Sequence, residues 1–358
     1  MGGRATLTVG GPPRASIPSI ADSPLTFVGQ PLAEIIAYLR ARLDAGATTI
    51  EIVVPDPDLG PGSYAGERID LDGTPAIHRP FRTWVDLAER LRLRLHTPRA
   101  RPGGLVALTF TRLDPRARWE PPADADPTEK YGTRSPYQRI HKPEDPGFVL
   151  DLADALDRIP LPPAPRILDL GVNTGDELAL LQTLDPALHQ ATFVGIDHSA
   201  SAINLARDRF AEPRHHFIVA DLGMLPELTL DPPTFDLVLS LGTLHSPGVD
   251  DRVLLRHIVQ HRLSPHGSII LGIPNCSYLD GEVLHGAKMR NFTQPDLSLL
   301  VKNAAFYRRY LQQHRRKVYV TGKHYMLVTA VPLRPPQPPE VSSAAPSSGG
   351  VSSSSSSR

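Results

Sequence analysis

The chain has 358 residues, enough for two domains, and 41% of them are hydrophobic, enough for a buried core. Its formal net charge at pH 7 is zero, which removes any global electrostatic pull towards nucleic acid or membrane. A single cysteine, Cys276, excludes an intrachain disulfide, and no apolar run approaches the ~20 residues of a membrane span. The first residues lack the apolar block of a signal peptide, so a cytoplasmic protein is expected. Residues 1–22 are rich in Gly, Pro and Ser without periodicity and read as disordered, as does the Pro/Ser tail 333–358.

Residues 23–113 read as a small accessory α+β domain. Leu32, Ile35, Ile36, Leu39 and Leu43 follow helical spacing, and Gly46 stops that helix. TTIEIVVP (48–55) reads as a strand, and ERIDLDG alternates like an exposed strand ending in a turn. A helix capped by Thr83 would bury Trp84, Leu87, Ala88 and Leu91, and LVALTFTRL (105–113) is a further strand. The unit is expected to serve substrate recognition or dimerisation. A proline-bearing linker, 114–127, follows it.

Beyond the linker, YGTRSPYQRIHKPEDPGF (131–148) is dense in aromatics and cations and leads into a helix at about 146–157. RILDLGVNTGDE (166–177) then reads as a buried strand ending in a small-residue turn and entering a helix. Such a turn lets backbone N–H groups approach a ligand closely. Further apolar strands follow at ATFVGIDHS (191–199), HHFIVAD (215–221), FDLVLSL (235–241) and GSIILGIP (267–274), with helices at about 177–184, 249–262 and 295–314. Near-continuous apolar strands alternating with helices indicate a parallel sheet covered on both faces. Ligands of such sheets lie beyond the carboxyl ends of the strands. Asp169, Asp197 and Asp221 stand at or near three of those ends. An acid after the second strand suits a ribose diol, and one after the third can accept from an adenine amine. The competing role for Asp197 and Asp221 is helix N-capping.

The run resembles the class I S-adenosylmethionine-dependent methyltransferases over about residues 128–332. DLGVNTG matches the first motif of that family, GID the second, AD the third and FDLVLSLGTLH the fourth. RKVYVTG (316–322) and HYMLVTAVP (324–332) fit its sixth strand and antiparallel seventh. Asn173 stands where the family usually has glycine; Asn tolerates a positive φ, so the turn is expected to survive, with its amide near the amino-acid end of the cofactor.

The resemblance implies an α/β, Rossmann-like seven-stranded methyltransferase sheet at 128–332 and S-adenosyl-L-methionine as cofactor. It implies cofactor contacts from Asp169, Gly171, Asn173, Gly175, Asp197, His198, Asp221, Leu222 and Ser240, with Arg139 and Lys142 supplying a cationic lid. His245 is the candidate general base, and Asp236, at the start of its strand, reads as structural. The stretch 273–292 lies where the family binds its acceptor, through Asn275, Tyr278, Asp280, Glu282, Lys288 and Arg290. The turn after the fourth strand lacks the Pro-Pro and Pro-Cys signatures of base methylases and any acidic cluster, so no metal is expected.

The expected function is methyl transfer to a small-molecule or natural-product acceptor. Residues 286–324 hold nine Lys or Arg against the single acid Asp296, which keeps RNA as an alternative substrate bound by this segment and the N-terminal domain. A further alternative is a non-catalytic cofactor-binding regulator. Oligomeric state is not legible.

Overall fold

The computed structural model describes residues 24–58, 62–118, 126–246, 248–286 and 297–333. The two expected tails, apart from Leu333, lie outside this set, as do Lys288 and Arg290. The chain divides into two compact units, 1–117 with 279–282, and 118–278 with 283–358.

The first unit contains β1 (Leu25–Thr26), α1 (Leu32–Asp44), β2 (Thr49–Pro55), β3 (Arg68–Leu71), β4 (Thr74–Ile77), α2 (Phe81–Leu91), β5 (Leu93–Leu95), β6 (Arg99–Arg101) and β7 (Leu105–Arg112). One sheet runs β1-β2-β7-β5, with β6 also on β7, and β3–β4 is a separate hairpin. The apolar stripes of α1 and α2 bury Ile35, Leu39 and Trp84 against Ile52, Leu108 and Phe110 of the sheet. The helix expected to be capped by Thr83 is capped at Pro80 instead and begins at Phe81. Short β5 and β6 were not legible, because three residues carry too little periodicity.

The second unit contains α3 (Pro146–Asp157), β8 (Arg166–Leu170), α4 (Asp176–Leu184), β9 (Thr192–Asp197), α5 (Ala200–Arg209), β10 (His216–Val219), β11 (Phe235–Leu241), α6 (Asp251–His257), β12 (Leu263–Pro274), most of β13 (Cys276–Leu279) and of β14 (Glu282–His285), whose residues 279–282 count with the first unit, α7 (Ser298–Gln313), β15 (Arg316–Gly322) and β16 (Tyr325–Pro332). Seven of these strands form one sheet in the order β10-β9-β8-β11-β12-β16-β15. β8 to β12 pair in parallel, and β16 runs antiparallel to both of its neighbours.

Alternation along each strand feeds two cores. Ile167 faces a layer with Leu152, Leu178 and Phe193, whereas Leu168 and Leu170 face Leu255, Ile258 and Tyr307. Each fully buried aliphatic side chain contributes ~1.5–3 kcal/mol, which fixes the register of the sheet. Chain order reverses at β8, with β9 on one side and β11 on the other, and this opens a crevice at their carboxyl ends. Asp236 accepts from the backbone N–H and guanidinium of Arg166 and ties β11 to β8 at the opposite edge, the structural place expected for it.

Two boundaries differ from the sequence reading. α6 begins at Asp251, because the Asp250 carboxylate caps it by accepting from Arg252 N and Val253 N. Within 273–286, β13 and β14 form a hairpin through Asp280 and Gly281, both at positive φ, the pairing an Asp-Gly turn favours.

Candidate cofactor and acceptor site

The carboxyl ends of β8, β9 and β11 and the chain after β12 surround a cavity of about 490 Å³. Its floor is the turn after β8. Gly171, at φ 86°, comes so close to Thr243 that a Cβ would collide with that hydroxyl. Asn173 takes a left-handed φ of 46°, as the sequence suggested an Asn could.

Asp197 ends β9 and lines the cavity. Its Oδ1 accepts from Ser199 N at 2.9 Å and its Oδ2 from Asn173 N at 3.0 Å. Both oxygens are thereby aimed, and each keeps a lone pair for a further donor. His198 and Leu222 line the cavity beside it.

Residues 127–145 form a strap along the cavity wall, built from three single 3₁₀ turns, Pro127–Glu129, Pro136–Arg139 and Lys142–Glu144. Three anchors hold it. Glu129 accepts from Ser201 N and Ser199 Oγ, both at 3.1 Å, at the start of α5. Gln138 Nε2 donates to Asn173 Oδ1 at 2.9 Å, while Asn173 Nδ2 donates to Tyr131 O at 2.8 Å. Lys142 Nζ donates to Glu177 Oε1 at 2.8 Å, with both side chains largely buried.

Burial alone would lower the Lys142 pKa, but Glu177, Tyr137 and Tyr325 outweigh it and hold the ammonium well above its ordinary value. Asp169 is buried in β8, two positions before Gly171. Burial and then the Glu177 charge push its carboxyl well above the usual carboxylate range. At the same end, burial raises the phenols of Tyr137, Tyr278 and Tyr325, and it lifts the Cys276 thiol to about 11.

Of the expected cofactor residues, Gly171, Asn173, Asp197, His198, Leu222 and Lys142 line the cavity. Others stand elsewhere. Gly175 caps α4 with φ 81° and packs against the Phe210 ring, which a Cβ would strike. Asp221 is exposed and caps a 3₁₀ turn through Gly223 N, the competing role named for it. Ser240 is fully buried inside β11, and Arg139 is exposed. The Asn173 amide does not point at open space for a cofactor, because the strap uses both of its ends. Nor is Lys142 a bare cation, since Glu177 holds it.

His245 is not among the residues lining the cavity. Its Nε2 lies 2.8 Å from Asn303 Nδ2 and 3.3 Å from Tyr307 OH, and burial lowers its pKa. It braces the turn after β11 rather than facing an acceptor.

Of the expected acceptor residues, Tyr278 lines the cavity. Asn275 is buried and pins the chain after β12, donating to Lys323 O and bonding the His285 ring. Asp280 and Glu282 belong to the first unit, where Arg94 Nε meets Glu282 at 3.0 Å and its guanidinium also bonds Asp280 O. In the basic segment, Arg316 is buried and donates to Ser264 O, so it is structural rather than part of a phosphate-binding face.

Glu177, Gln138 and Tyr325 are cavity residues the sequence reading missed. Glu177 had a local signal: it sits in the first turn of the helix leaving the glycine turn. Tyr325 had none, because only the register of β16 opposite Pro274 brings it there.

Residues 167–267 match the family model described as a methyltransferase domain. The match spans the turn after β8, Asp197 and β11, and the strand order agrees with the sheet that the motifs implied. Over these residues the second unit carries a methyltransferase domain. Over 126 residues the chain is 32% identical to fumosorinone synthetase of Cordyceps fumosorosea; this covers 34% of the chain and 3% of that protein, a small fraction of its length. Among solved structures, the domain is similar to a SAM-dependent methyltransferase from Aquifex aeolicus, at 15% identity and a TM-score of 0.35, covering 57% of this chain and 93% of that one. It is also similar to a TehB-like SAM-dependent methyltransferase from Corynebacterium glutamicum, at 17% identity and a TM-score of 0.33, covering 50% and 86%. No helix among the described residues is long and apolar enough to cross a membrane.

Proposed function

We propose that this methyltransferase domain binds S-adenosylmethionine in the strapped cavity and transfers its methyl group to a small-molecule acceptor. The observation that carries this reading is the Asp197 carboxylate. Two backbone N–H groups fix it at a strand end, and its remaining lone pairs suit the two hydroxyls of a ribose. Leu222 offers an apolar contact to the adenine, and the close approach of Gly171 to Thr243 leaves backbone facing the amino-acid end.

The sulfonium supplies a reactive methyl group when bound, so the chain has only to orient, desolvate and exclude water. Asp197 orients the ribose. The strap excludes water over one wall, held by Glu129, Asn173 and Glu177. Neither a catalytic triad nor a metal is needed for that work. The size of the cavity and the structural role of Arg316 favour a small acceptor over RNA.

Calorimetry of the full chain with S-adenosylhomocysteine tests this. Binding in the micromolar range, about −8 kcal/mol, is expected. Asp197→Ala should weaken it at least about tenfold through loss of the ribose bonds. Unchanged affinity in that variant overturns the assignment. Transfer to a small-molecule fraction of a cell extract, read with radiolabelled cofactor, separates an enzyme from a regulator that only binds.

A further inference from the structure

One group of residues lining the cavity has an uneven chemistry. Tyr137, Tyr278 and Tyr325 line it together with Lys142, whose Nζ lies 5.7 Å from the centre of the Tyr325 ring. These are hydrogen-bond donors, and burial keeps all three phenols protonated across the physiological range. The carboxylates are committed. Among the described lining residues, Glu177 holds Lys142, Asp176 holds Arg209, and Asp197 holds two backbone N–H groups and, on the reading above, the ribose. The lining imidazole, His198, stands beside Asp197 at the ribose end. Asp145, close behind Cys276, caps α3 and faces His324 at 3.4 Å.

Such a wall donates hydrogen bonds to an oxyanion and offers a protonated acceptor no carboxylate or imidazole to take its proton. We propose that the methyl acceptor is an acidic hydroxyl compound, a phenol or a stabilised enol, taken up as its oxyanion against Tyr278, Tyr325 and Lys142. This rests on the methyltransferase reading above and narrows it to one acceptor chemistry.

The balance of the step needs nothing more. A lone pair of the acceptor oxygen forms the O–CH₃ bond, and the CH₃–S bond breaks with its electron pair left on sulfur. No proton is released, because the acceptor entered already ionised. Two opposite charges become two neutral products, a change that a dry, low-dielectric cavity favours. A cationic amine would instead meet the Lys142 ammonium with no uncommitted carboxylate to pair it.

The test uses the full chain saturated with S-adenosylhomocysteine, at mildly alkaline pH, and three probes of one size: 4-nitrophenol, 4-nitrobenzyl alcohol and 4-nitrobenzylamine. The nitrophenol should bind at least about tenfold more tightly than the other two, with the visible absorbance of its phenolate retained. Tyr278→Phe should cost about tenfold for that probe and leave S-adenosylhomocysteine affinity unchanged. Equal or tighter binding of the alcohol or amine overturns the proposal. So does absence of nitrophenolate binding, or an unaltered Tyr278→Phe variant. S-adenosylhomocysteine binding is measured first. Its failure overturns the methyltransferase reading itself, whereas its success without phenolate preference overturns only the acceptor class.

Discussion

Asn173 and Gln138 are joined side chain to side chain at 2.9 Å, and the same Asn173 amide donates to the backbone of Tyr131. The residue that occupies the usual glycine position in the turn therefore also fastens the strap. Glycine would adopt φ 46° at no steric cost, yet it would release both side-chain bonds. We expect Asn173→Gly to raise the dissociation rate of S-adenosylhomocysteine about tenfold while shifting the melting temperature little. Stopped-flow displacement reads the rate, and an unchanged value removes the strap from the exchange step.

Gly171→Ala should behave differently. Its φ of 86° strains any side chain, and the new methyl would collide with Thr243. A loss of about 1–3 kcal/mol in cofactor affinity or folding stability is expected, measured by calorimetry and urea unfolding. Thr243→Ala in the same chain removes the collision but not the strain, so only part of the loss should return.

The Lys142–Glu177 pair is buried, so breaking one side leaves an unpaired charge. Glu177→Gln should destabilise the domain by about 3–5 kcal/mol near neutral pH. Because Lys142 is raised above its ordinary value in the fold, its contribution is complete at neutral pH and is lost only as pH climbs through that raised value. A wild-type stability that falls steeply around neutrality and not in alkali would contradict this, once Asp169 has been separated as follows.

Asp169 has the opposite character. Its raised carboxyl means that the folded chain binds a proton the unfolded chain has already released. Stability therefore declines as pH rises from the ordinary carboxylate range towards the raised value. Asp169→Asn cannot ionise and should flatten that decline, becoming more stable than wild type at the alkaline end. Urea titrations at several pH values compare the two slopes; parallel slopes would mean that Asp169 is ionised in the fold.

His245→Gln is expected to reduce transfer less than tenfold, because its ring contacts Asn303 and Tyr307 rather than the cavity. A loss of about a thousandfold, in the range of a missing general base, would return the residue to the chemistry.

The parallel strands were legible because buried strands are apolar throughout and end in acids or small turns; their order in the sheet followed only from the family resemblance. Asp197 was legible for the same reason: a carboxylate at the end of such a strand needs a partner. Gly175 and Asp221 show the limit of that logic. Each has the right residue type at the right place, but Phe210 claims the first and a 3₁₀ cap the second. Glu129, Gln138 and Tyr325 work through pairings tens of residues away in sequence, which no local period encodes.

Tyr325 stands on β16, opposite Pro274, and β16 lies between β12 and β15. A ribosome that has released only the chain up to β12 has let out Gly171, Asp197, Leu222 and the strap but not Tyr325. Until residue 332 is out, β12 carries a long open edge with no neighbour to satisfy its backbone, the kind of edge that recruits other chains. The Tyr325 side of the cavity is therefore completed only after Gly171, Asp197 and the strap have left the ribosome.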